Sequence, residues 1–342
     1  MRIQMLDLIT TQEELGKYQR YFRVLADGLQ NLGCEVDYVL KKDLKWVYLR
    51  YLRFKPDVII SVSEEGPLPT LLKKLRLIRA PHVHCWTDDY VDINGREYGI
   101  SFIAFCEYFT VANADFIITP SIYRKERCEL WGKRVFYIPH GVDTDFARQR
   151  PAKLEGTVKV VYVGEQSERK RVGELIAAAD GLDCDLYLLG ETNEAYQAKA
   201  VPNVHFLGYI DPSRIPGYLK AADILALTPD DDCTLKMFEY VKAGKAILAT
   251  RGKPGYFLTH LENAYLTDDL AKGLRELISN PGLRKRLAEE VKKIKVYTWD
   301  EVAQMWLDAL NQAMEEYHAP DWRNRRRKVG GKSLKSFLRS AL

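Results

Sequence analysis

The sequence lacks any uninterrupted apolar run that approaches the roughly 18 residues of a membrane-spanning helix. Its first residues, MRIQMLDLITTQEELGK, carry acids and amides where a signal peptide needs an apolar core. These absences argue against a secreted or membrane-spanning protein, and we predict a cytoplasmic location. Hydrophobic residues make up 46% of the 342 residues and charged residues 29%, which excludes a disordered composition and allows two domains, each with its own core.

Cysteine is infrequent, and its pattern excludes two further classes of protein. The six cysteines form no CxxC pair and have no histidine partners at the spacing of a zinc site. Neither a disulfide framework nor a zinc module is therefore indicated. We expect reduced, mostly buried thiols at Cys34, Cys85, Cys106, Cys128, Cys184 and Cys233.

Two glycine-rich nucleotide motifs are missing as well. No GxGxxG follows a predicted strand and no GxxxxGK[ST] is present, since KAGKAI holds only the last fragment of the second motif, at the end of a predicted helix. Dinucleotide-dependent oxidoreductases and P-loop nucleotide hydrolases therefore lose their main support.

What is present is an alternation of short apolar runs with longer segments of helical period. The runs read as buried strands: EVDYVL, DVIISV, HVHCW, FIITP and VFYIP in the first half, and VKVVYVG, DLYLLG, VHFLG, DILALT and KAILAT in the second. Segments such as YQRYFRVLADGLQNLG and RVGELIAAADGL read as helices. The alternation predicts an α/β fold of parallel sheets covered on both faces, and the polar segment DTDFARQRPAKLEGT predicts the seam between two lobes.

Ligands of such sheets bind beyond the carboxyl ends of the strands. At that place, after DILALTP, stand three acids, Asp230, Asp231 and Asp232. They are followed by a predicted helix, LKMFEYVKAG, which ends at Gly244.

The start of this helix predicts a phosphate-binding site. Thr234 is placed as the N-cap, which leaves the amides of Leu235 and Lys236 to face an anion on the helix axis. One turn further in, Glu239 can accept two hydrogen bonds from a vicinal diol such as a ribose. Asp231, in the preceding loop, can reach a sugar on the other side of the phosphates.

The spacing of an acid, seven residues and a glutamate, followed by GKAILAT, resembles the signature of retaining GT-B glycosyltransferases of family four. Other segments agree with that family in order and distance. They are ADFIITPSIYRKERCELWGKRVFYIPHGVDTDFA, VVYVGEQSERKRVGELI, VPNVHFLGYIDPSRIPGYLKAADILALTP and YTWDEVAQMWLDAL, and the resemblance extends over residues 110–312.

The resemblance implies the GT-B fold, in which two Rossmann-like, doubly wound domains face an interdomain cleft and a C-terminal helix crosses back. The implied ranges are 1–147 for the acceptor-binding domain, 148–298 for the nucleotide-sugar-binding domain, 299–318 for the crossing helix and 319–342 for a basic tail. The implied reaction moves a sugar from a nucleoside-diphosphate sugar to a hydroxyl acceptor with retention of anomeric configuration, and it needs no metal and no further cofactor.

The resemblance also implies site residues. Catalytic roles fall to Asp88, Asp231 and Lys170. Donor contacts fall to Gly164, Arg169, Lys170, Gly190, Tyr209, Asp231, Thr234, Leu235, Lys236 and Glu239. Acceptor contacts fall to Asp88, Asp89 and His140, and stabilisation of the turn between the two lobes is the alternative role of His140.

The chain departs from the family pattern in several places. Many members carry an arginine directly after the first of these glycines, where this chain has Glu165, so that Arg169 or Arg171 is left to supply the charge. No glycine-rich loop follows the first strand. Where the family often has a histidine near the sugar, this chain has Asp88 and Asp89.

The run of acids also spells the DxD pattern by which another glycosyltransferase fold holds a divalent metal. That fold lacks a phosphate-binding helix in this position, so we disfavour a metal at Asp230 and Asp232. A GT-B sugar-nucleotide epimerase and a non-catalytic scaffold that binds a nucleotide sugar or a membrane are the alternative functions.

Positive charge is concentrated in the tail. From Ala319 onward eight cations stand against a single acid, Asp321, which predicts contact with an anionic surface. Apolar residues on one helical face follow at Leu334, Phe337, Leu338 and Leu342. In the first lobe, LKKDLKWVYLRYLRFKP and LLKKLRLIRAP interleave cations with aromatics, at Trp46, Tyr48, Tyr51 and Phe54.

This pattern favours an anionic membrane as the partner. A solvated tail with ordinary amphipathic helices is the alternative. Nucleic acid is disfavoured because no stacking-and-groove motif accompanies the arginines.

Overall fold

A computed structural model describes residues 1–7, 20–62, 66–87, 102–199 and 201–322. The chain divides into two compact units. The first unit comprises Met1–His140 and Trp299–Leu342, and the second comprises Gly141–Thr298. The predicted tail after Trp322, and the predicted residues Asp88 and Asp89, lie outside the described residues.

The described strands of the first unit are β1 (Arg2–Asp7), β2 (Glu35–Leu40), β3 (Val58–Val62), β4 (His82–Cys85), β5 (Phe116–Thr119) and β6 (Val135–Tyr137). Its described helices are α1 (Arg20–Asn31), α2 (Val47–Phe54), α3 (Pro67–Lys74), α4 (Phe102–Asn113), α5 (Ile122–Leu130) and α12 (Trp299–His318). The strands form a parallel sheet in the order β2-β1-β3-β4-β5-β6.

Helices cover both faces of this sheet, as the buried strands require. Val39 of β2 belongs to the apolar cluster beneath α2 and α3. Its neighbour Tyr38 packs against Phe22 of α1, with ring centroids 6.3 Å apart. Because neighbouring strand residues point to opposite faces, α1 lies on the other side of the sheet from α2 and α3.

Helix α12 returns to the first unit and packs closely on α1. A Cβ added at Gly28 would lie only 2.7 Å from Cβ of Ala303, so the two helices approach at a position where only glycine fits. Beyond the helix, the ring of Trp322 stacks on Phe116 of β5, with centroids 4.7 Å apart. Glu316 accepts a forked hydrogen bond from Arg134.

The described strands of the second unit are β7 (Gly141–Val142), β8 (Lys159–Val163), β9 (Asp185–Leu189), β10 (Val204–Gly208), β11 (Ile224–Leu227), β12 (Ala246–Thr250), β13 (Tyr265–Thr267) and β14 (Tyr297–Thr298). Its helices in the described chain are α6 (Val172–Ala179), α7 (Glu194–Gln197), α8 (Ile215–Ala221), α9 (Leu235–Ala243), α10 (Leu270–Ser279) and α11 (Pro281–Val291). Six strands form a parallel sheet in the order β10-β9-β8-β11-β12-β13, and β7 pairs with β14.

Alternate residues of the central strand β8 divide the core of the second unit into two layers. Val160 belongs to the cluster that includes α6 and α10, whereas Val161 belongs to the cluster that includes α8 and α9. The sheet is therefore covered on both faces, as predicted for buried parallel strands.

The ten strands predicted from apolar runs are all confirmed, and β1, β7, β13 and β14 are additional. No disulfide joins any of the six cysteines, all of which lie in the described residues, and Cys106 alone of them is only half-buried. None of the helices in the described ranges has both the length and the apolar composition required to cross a bilayer.

Candidate functional site

The three predicted acids and the predicted phosphate-binding helix follow β11, which lies beside β8 in the sheet. From β8 the chain proceeds outward through β9 to β10, and then crosses to β11 on the other side. The reversal of strand order leaves a crevice at the carboxyl ends of β8 and β11, where open α/β sheets bind ligands. The loop after β8 and the start of α9 meet at this point.

Backbone close to this crevice is shaped by two glycines. Gly164, directly after β8, has φ +128°, and Gly190, directly after β9, has φ +143°. A Cβ on Gly190 would lie 2.2 Å from the carbonyl oxygen of Gly164, so no other residue fits without movement of the backbone. The floor of the crevice is thus bare main chain.

Lys236 reaches from the first turn of α9 over this floor. Its Nζ lies 4.1 Å from the ring centroid of Tyr162, and a Cβ on Gly164 would lie 2.9 Å from it. The Nζ is buried and has no hydrogen-bond partner, although the side chain as a whole is partly exposed. Burial, and next the positive charge of Lys170, lower the pKa of Lys236 well below 10.5.

Three more buried polar atoms at the crevice lack a partner. They are Nε2 of Gln166, Oγ of Ser167 and Oγ1 of Thr234. Together with Nζ of Lys236, they are all the buried, unpartnered side-chain nitrogens and oxygens in the described part of the second unit. Each can donate a hydrogen bond, and buried donors are rarely left unsatisfied, so this cluster suits an anionic ligand.

The amide orientation of Gln166 is fixed by its neighbour. Its Oε1 accepts a hydrogen bond from the backbone N–H of Asn193 at 3.0 Å, and Nδ2 of Asn193 donates to its carbonyl oxygen at 3.0 Å. The Nε2 group is therefore directed away from Asn193 as a free donor.

Helix α9 is anchored firmly to the strands beneath it. The hydroxyl of Tyr240 accepts from the backbone N–H of Val163 at 3.0 Å, and the helix ends at Gly244 in the left-handed conformation, as predicted. Thr234 is the N-cap residue, also as predicted. Its hydroxyl makes no capping hydrogen bond, so it remains available together with the first amides of the helix.

The other predicted cations differ in their surroundings. Arg171 donates to Glu174, to Thr250 and to the carbonyl of Asp268, and the hydrogen bond to Glu174 raises its pKa. Its guanidinium thus connects the loop between β8 and α6 to the end of β12 by hydrogen bonds. Arg169 pairs with Glu165 at 3.2 Å on the exposed surface. Lys170 lies close enough to Lys236 to affect its pKa, and its carbonyl accepts a hydrogen bond from Thr228.

The three acids are not equivalent. Asp230 accepts from the backbone N–H of Lys253 at 2.7 Å, which places it against the next loop. Asp231 accepts from the backbone N–H and the thiol of Cys233 at 3.3 and 3.5 Å. Asp231, Asp232 and Cys233 bring one potential metal ligand each within 4.8 Å of one another, a grouping different from the DxD pair considered from the sequence.

The remaining predicted donor contacts are partly exposed. Glu239 lies one turn into α9, and its charge acts on Lys236. Leu235 is exposed at the start of the helix, and Tyr209 is exposed just after β10. The structure thus places the predicted donor residues at the ends of neighbouring strands and on α9, and their roles stay predictions.

In the first unit, two of the three predicted acceptor residues, Asp88 and Asp89, lie outside the described residues. His140 is buried, with its ring 4.9 Å from that of Tyr21 and 6.2 Å from that of Trp299. The predicted contact of His140 with an acceptor stays a prediction.

Two further histidines in the first unit are buried beside Ser61. Its hydroxyl lies 2.7 Å from Nε2 of His82 and 3.0 Å from Nδ1 of His84. Burial lowers the pKa of His84 to about 3, so this ring is neutral. Both histidines are therefore core residues.

Comparison with known proteins agrees with this architecture. Residues 143–294 match the model of a family described as glycosyl transferases group 1. No curated protein sequence matches the chain. Sucrose-phosphate synthase from Thermosynechococcus elongatus superposes with a TM-score of 0.76 at 16% identity, covering 92% of this chain and 99% of that one.

Two other solved structures are similar over comparable lengths. HepE from Anabaena, in complex with UDP and glucose, gives a TM-score of 0.70 at 15% identity and covers 91% of this chain and 100% of that one. A UDP-N-acetylglucosamine 2-epimerase from Listeria monocytogenes, named as putative in its description, gives 0.64 at 12% identity, with coverages of 92% and 97%. Identities this low show the fold alone, and they confirm the predicted GT-B class.

Sequence reasoning missed three of the four unpartnered donors. Gln166 and Ser167 stand in the segment GEQSERKR, whose cations were the predicted ligands of the diphosphate. Lys236 was predicted to contribute a backbone amide, whereas its ammonium group is the more distinctive feature. The sequence did contain a signal for this side chain, because Lys236 stands at the second position of a helix that was expected to bind phosphate.

Proposed function

We propose that this protein transfers a sugar from a nucleoside-diphosphate sugar to a hydroxyl acceptor, because residues 143–294 match the model of the glycosyl transferases group 1 family. The observation that carries the proposal is that four buried donors, from Gln166 and Ser167 in the loop after β8 and from Thr234 and Lys236 at the start of α9, have no partners. A diphosphate supplies the acceptor oxygens that these groups lack. Two HepE structures hold UDP or UDP-glucose, which supports a uridine donor here.

The same groups can assist the departure of the nucleoside diphosphate. Negative charge grows on the leaving phosphate oxygen as the glycosidic bond breaks, and the ammonium of Lys236 with the amides at the start of α9 would stabilise it. Lys170 adds a second ammonium close by. These fixed donors need no reorganisation during the reaction, and we propose that no metal ion is required.

Retention of configuration and the roles of Asp88, Asp89, Asp231 and His140 belong to the proposal through the family resemblance. Asp88 would orient or deprotonate the acceptor hydroxyl. Glu239 would hold the ribose diol, and Tyr209 would lie beside the base.

Titration of the protein with UDP by calorimetry tests the proposed diphosphate site. Ser167→Ala should weaken UDP binding by about 1.5 to 3 kcal/mol, the scale of a hydrogen bond to a charged group. Ser279→Ala is the matched control, because that serine is exposed on α10 and donates to the carbonyl of Arg275 in its own helix. Equal affinities for UDP in both variants would reject the diphosphate assignment.

Thermal shift with a panel of nucleotide sugars identifies the donor, because a bound ligand stabilises the folded state by mass action. Release of the nucleoside diphosphate from the stabilising donor then separates an enzyme from a non-catalytic scaffold. The structure described as a putative UDP-N-acetylglucosamine 2-epimerase, which resembles this chain, favours a second candidate, a sugar-nucleotide epimerase. Conversion of the donor into its epimer without an added acceptor would favour that candidate over transfer.

We further propose that the basic tail from Ala319 onward binds an anionic membrane, which would make a lipid-linked sugar or glycolipid a suitable acceptor. A test compares the full chain with a chain that ends at Trp322, since the ring of Trp322 packs on Phe116 and should be kept. The shorter chain should bind vesicles containing phosphatidylglycerol more weakly. Equal binding would remove the tail from the proposal.

A further inference from the structure

Two helices of the first unit present apolar side chains to solvent. On and around α2 and α3, large apolar residues are between 42% and 68% exposed. They are Trp46, Leu49, Leu52, Leu71, Leu75 and Leu77. Single exposed leucines are ordinary, but a group of this size on two adjacent helices indicates a contact surface.

The two helices are adjacent because they pack on the same core. Tyr48 and Tyr51 of α2, and Leu68 and Leu72 of α3, all contact the cluster around Leu6 and Ile59. The hydroxyl of Tyr51 also accepts from the backbone N–H of Arg79 at 2.9 Å, which joins α2 to the segment after α3. The two tyrosines are therefore partly buried against this cluster, and their predicted contact with a membrane stays a prediction.

Phe54, also predicted at that interface, is half-buried, and the guanidinium of Arg2 lies 4.7 Å from its ring centroid. Trp46 remains exposed, as expected. Apart from Trp46, the exposed apolar residues on these two helices are therefore leucines, and none of these leucines was among the predicted interface residues.

The same surface is strongly basic. Its exposed charged residues include eight cations: Lys41, Lys42, Lys45, Arg53, Lys55, Lys74, Arg76 and Arg79. Within 41–57 and 71–79 the exposed acid is Asp57, and Asp43 is half-buried. None of the eight cations forms an ion pair with any described residue. We call these eight cations and six apolar residues the α2–α3 face.

Two of the cations occupy positions that suit glycine better. Lys55, which ends α2, has φ +52°, and Arg76, just after α3, has φ +61°. Side chains with a Cβ are disfavoured in this left-handed region, and helices commonly place glycine there. A cation is thus present at both positions although the left-handed backbone favours glycine there. This indicates that the positive charge contributes to function at this surface.

We propose that the α2–α3 face docks the protein on an anionic lipid bilayer. Its exposed leucines and Trp46 suit the acyl boundary, while the cations around them suit lipid phosphates. Charge complementarity decides against a second copy of the chain, because two such faces would bring together sixteen cations and few acids. The proposal concerns the first unit alone, and it stands whether or not the donor site or the tail acts as proposed.

Co-sedimentation of the full chain with vesicles tests this docking. The wild type should bind phosphatidylcholine vesicles that contain phosphatidylglycerol, and should not bind pure phosphatidylcholine. Lys55→Gly with Arg76→Gly should lower the partition onto the anionic vesicles roughly tenfold to thirtyfold, from about fivefold per surface cation. The same variant should keep or raise its melting temperature, because glycine relieves the left-handed backbone, so that loss of folding cannot explain the result.

Matched controls keep the outcome specific. Leu261, in the second unit, also has a left-handed backbone, with φ +59°. The Leu261→Gly variant relieves the backbone strain there without removing a charge, and it should bind vesicles as the wild type does. A variant with glutamine at Leu49, Leu52, Leu71 and Leu75 should lose most of its binding. Leu32→Gln should keep it, because Leu32 is exposed just after α1, on the opposite side of the sheet.

Vesicle binding that is the same in the wild type, the glycine variant and the glutamine variant would overturn the proposal. Sedimentation velocity without vesicles completes the test. A dimer that the glutamine variant dissociates would also overturn it, since the face would then serve a second copy.

Discussion

Lys236→Met is expected to stabilise the free protein and to weaken donor binding, two effects of opposite sign from one side chain. The buried Nζ of Lys236 has no hydrogen-bond partner and has Lys170 as a neighbour of like charge. An unsatisfied buried polar group costs about 1 to 3 kcal/mol. When the amine is charged, its contact with the ring of Tyr162 offsets about 0.5 to 2 kcal/mol of this cost.

Methionine follows a similar path without a polar end, so the variant should gain about 1 kcal/mol of unfolding free energy. In the presence of UDP the balance reverses. Loss of a charge-assisted hydrogen bond to the diphosphate costs about 1.5 to 3 kcal/mol, which weakens binding about tenfold to 150-fold. Urea unfolding of the free protein and calorimetric titration with UDP measure the two effects separately.

The pH dependence gives a third readout. The pKa of Lys236 is lowered in the folded protein, so between that lowered pKa and 10.5 the unfolded chain binds more protons than the folded one. The free energy of unfolding therefore rises with pH across this window. A bound diphosphate raises the pKa again, so binding should take up protons, and affinity should fall as pH rises above the lowered pKa.

Lys242→Met is the matched control, since Lys242 is exposed on the same helix. It should change neither stability nor affinity by more than about 0.5 kcal/mol. Calorimetry in buffers of different ionisation enthalpy should show proton uptake in the wild type and none in Lys236→Met. If Lys236→Met loses stability, or binds UDP as tightly as the wild type, then the ammonium group is not held for a diphosphate.

Three other expectations follow from the site. Glu239→Ala and Lys170→Ala should each weaken UDP binding by about 1 to 3 kcal/mol, and calorimetry that finds both affinities unchanged would remove these residues from the donor site. Gly190→Ala should lower the unfolding free energy by about 1 to 3 kcal/mol more than Gly181→Ala in urea, because both glycines have positive φ but only Gly190 faces the carbonyl of Gly164; equal losses would contradict the close approach. Asp88→Asn should lower turnover far more than donor affinity in steady-state assays, and unchanged turnover in this variant and in Asp89→Asn would assign the chemistry elsewhere.

The fold could be predicted from the sequence because its strands are buried on both sides. Runs such as DILALT and KAILAT are apolar at nearly every position and appear as β11 and β12. The strand β1 was less evident because RIQMLD contains Gln4, whose amide donates to Asp37 on the neighbouring strand. A buried glutamine with a partner from another part of the chain gives no apolar signal.

The candidate site was predictable in its main-chain features and not in its side-chain environments. The position of Thr234 before a helix and of Gly244 after it follows from local rules. That Gln166 and Ser167 lack partners depends on which atoms of distant segments approach them, and the local sequence does not determine this. The inward orientation of Tyr48 and Tyr51 likewise depends on the cluster beneath α2.

The return of α12 to the first unit has a consequence for the order in which the protein folds during its synthesis. The helix that covers Gly28 of α1 begins at Trp299, so a ribosome must make the whole second unit before the first can be completed. The second unit is one continuous stretch and can fold as soon as it emerges. Domains of nascent chains usually fold in the order in which they are made. Here the unit that is begun first is finished last, and until then α1 lacks the helix that packs on Gly28.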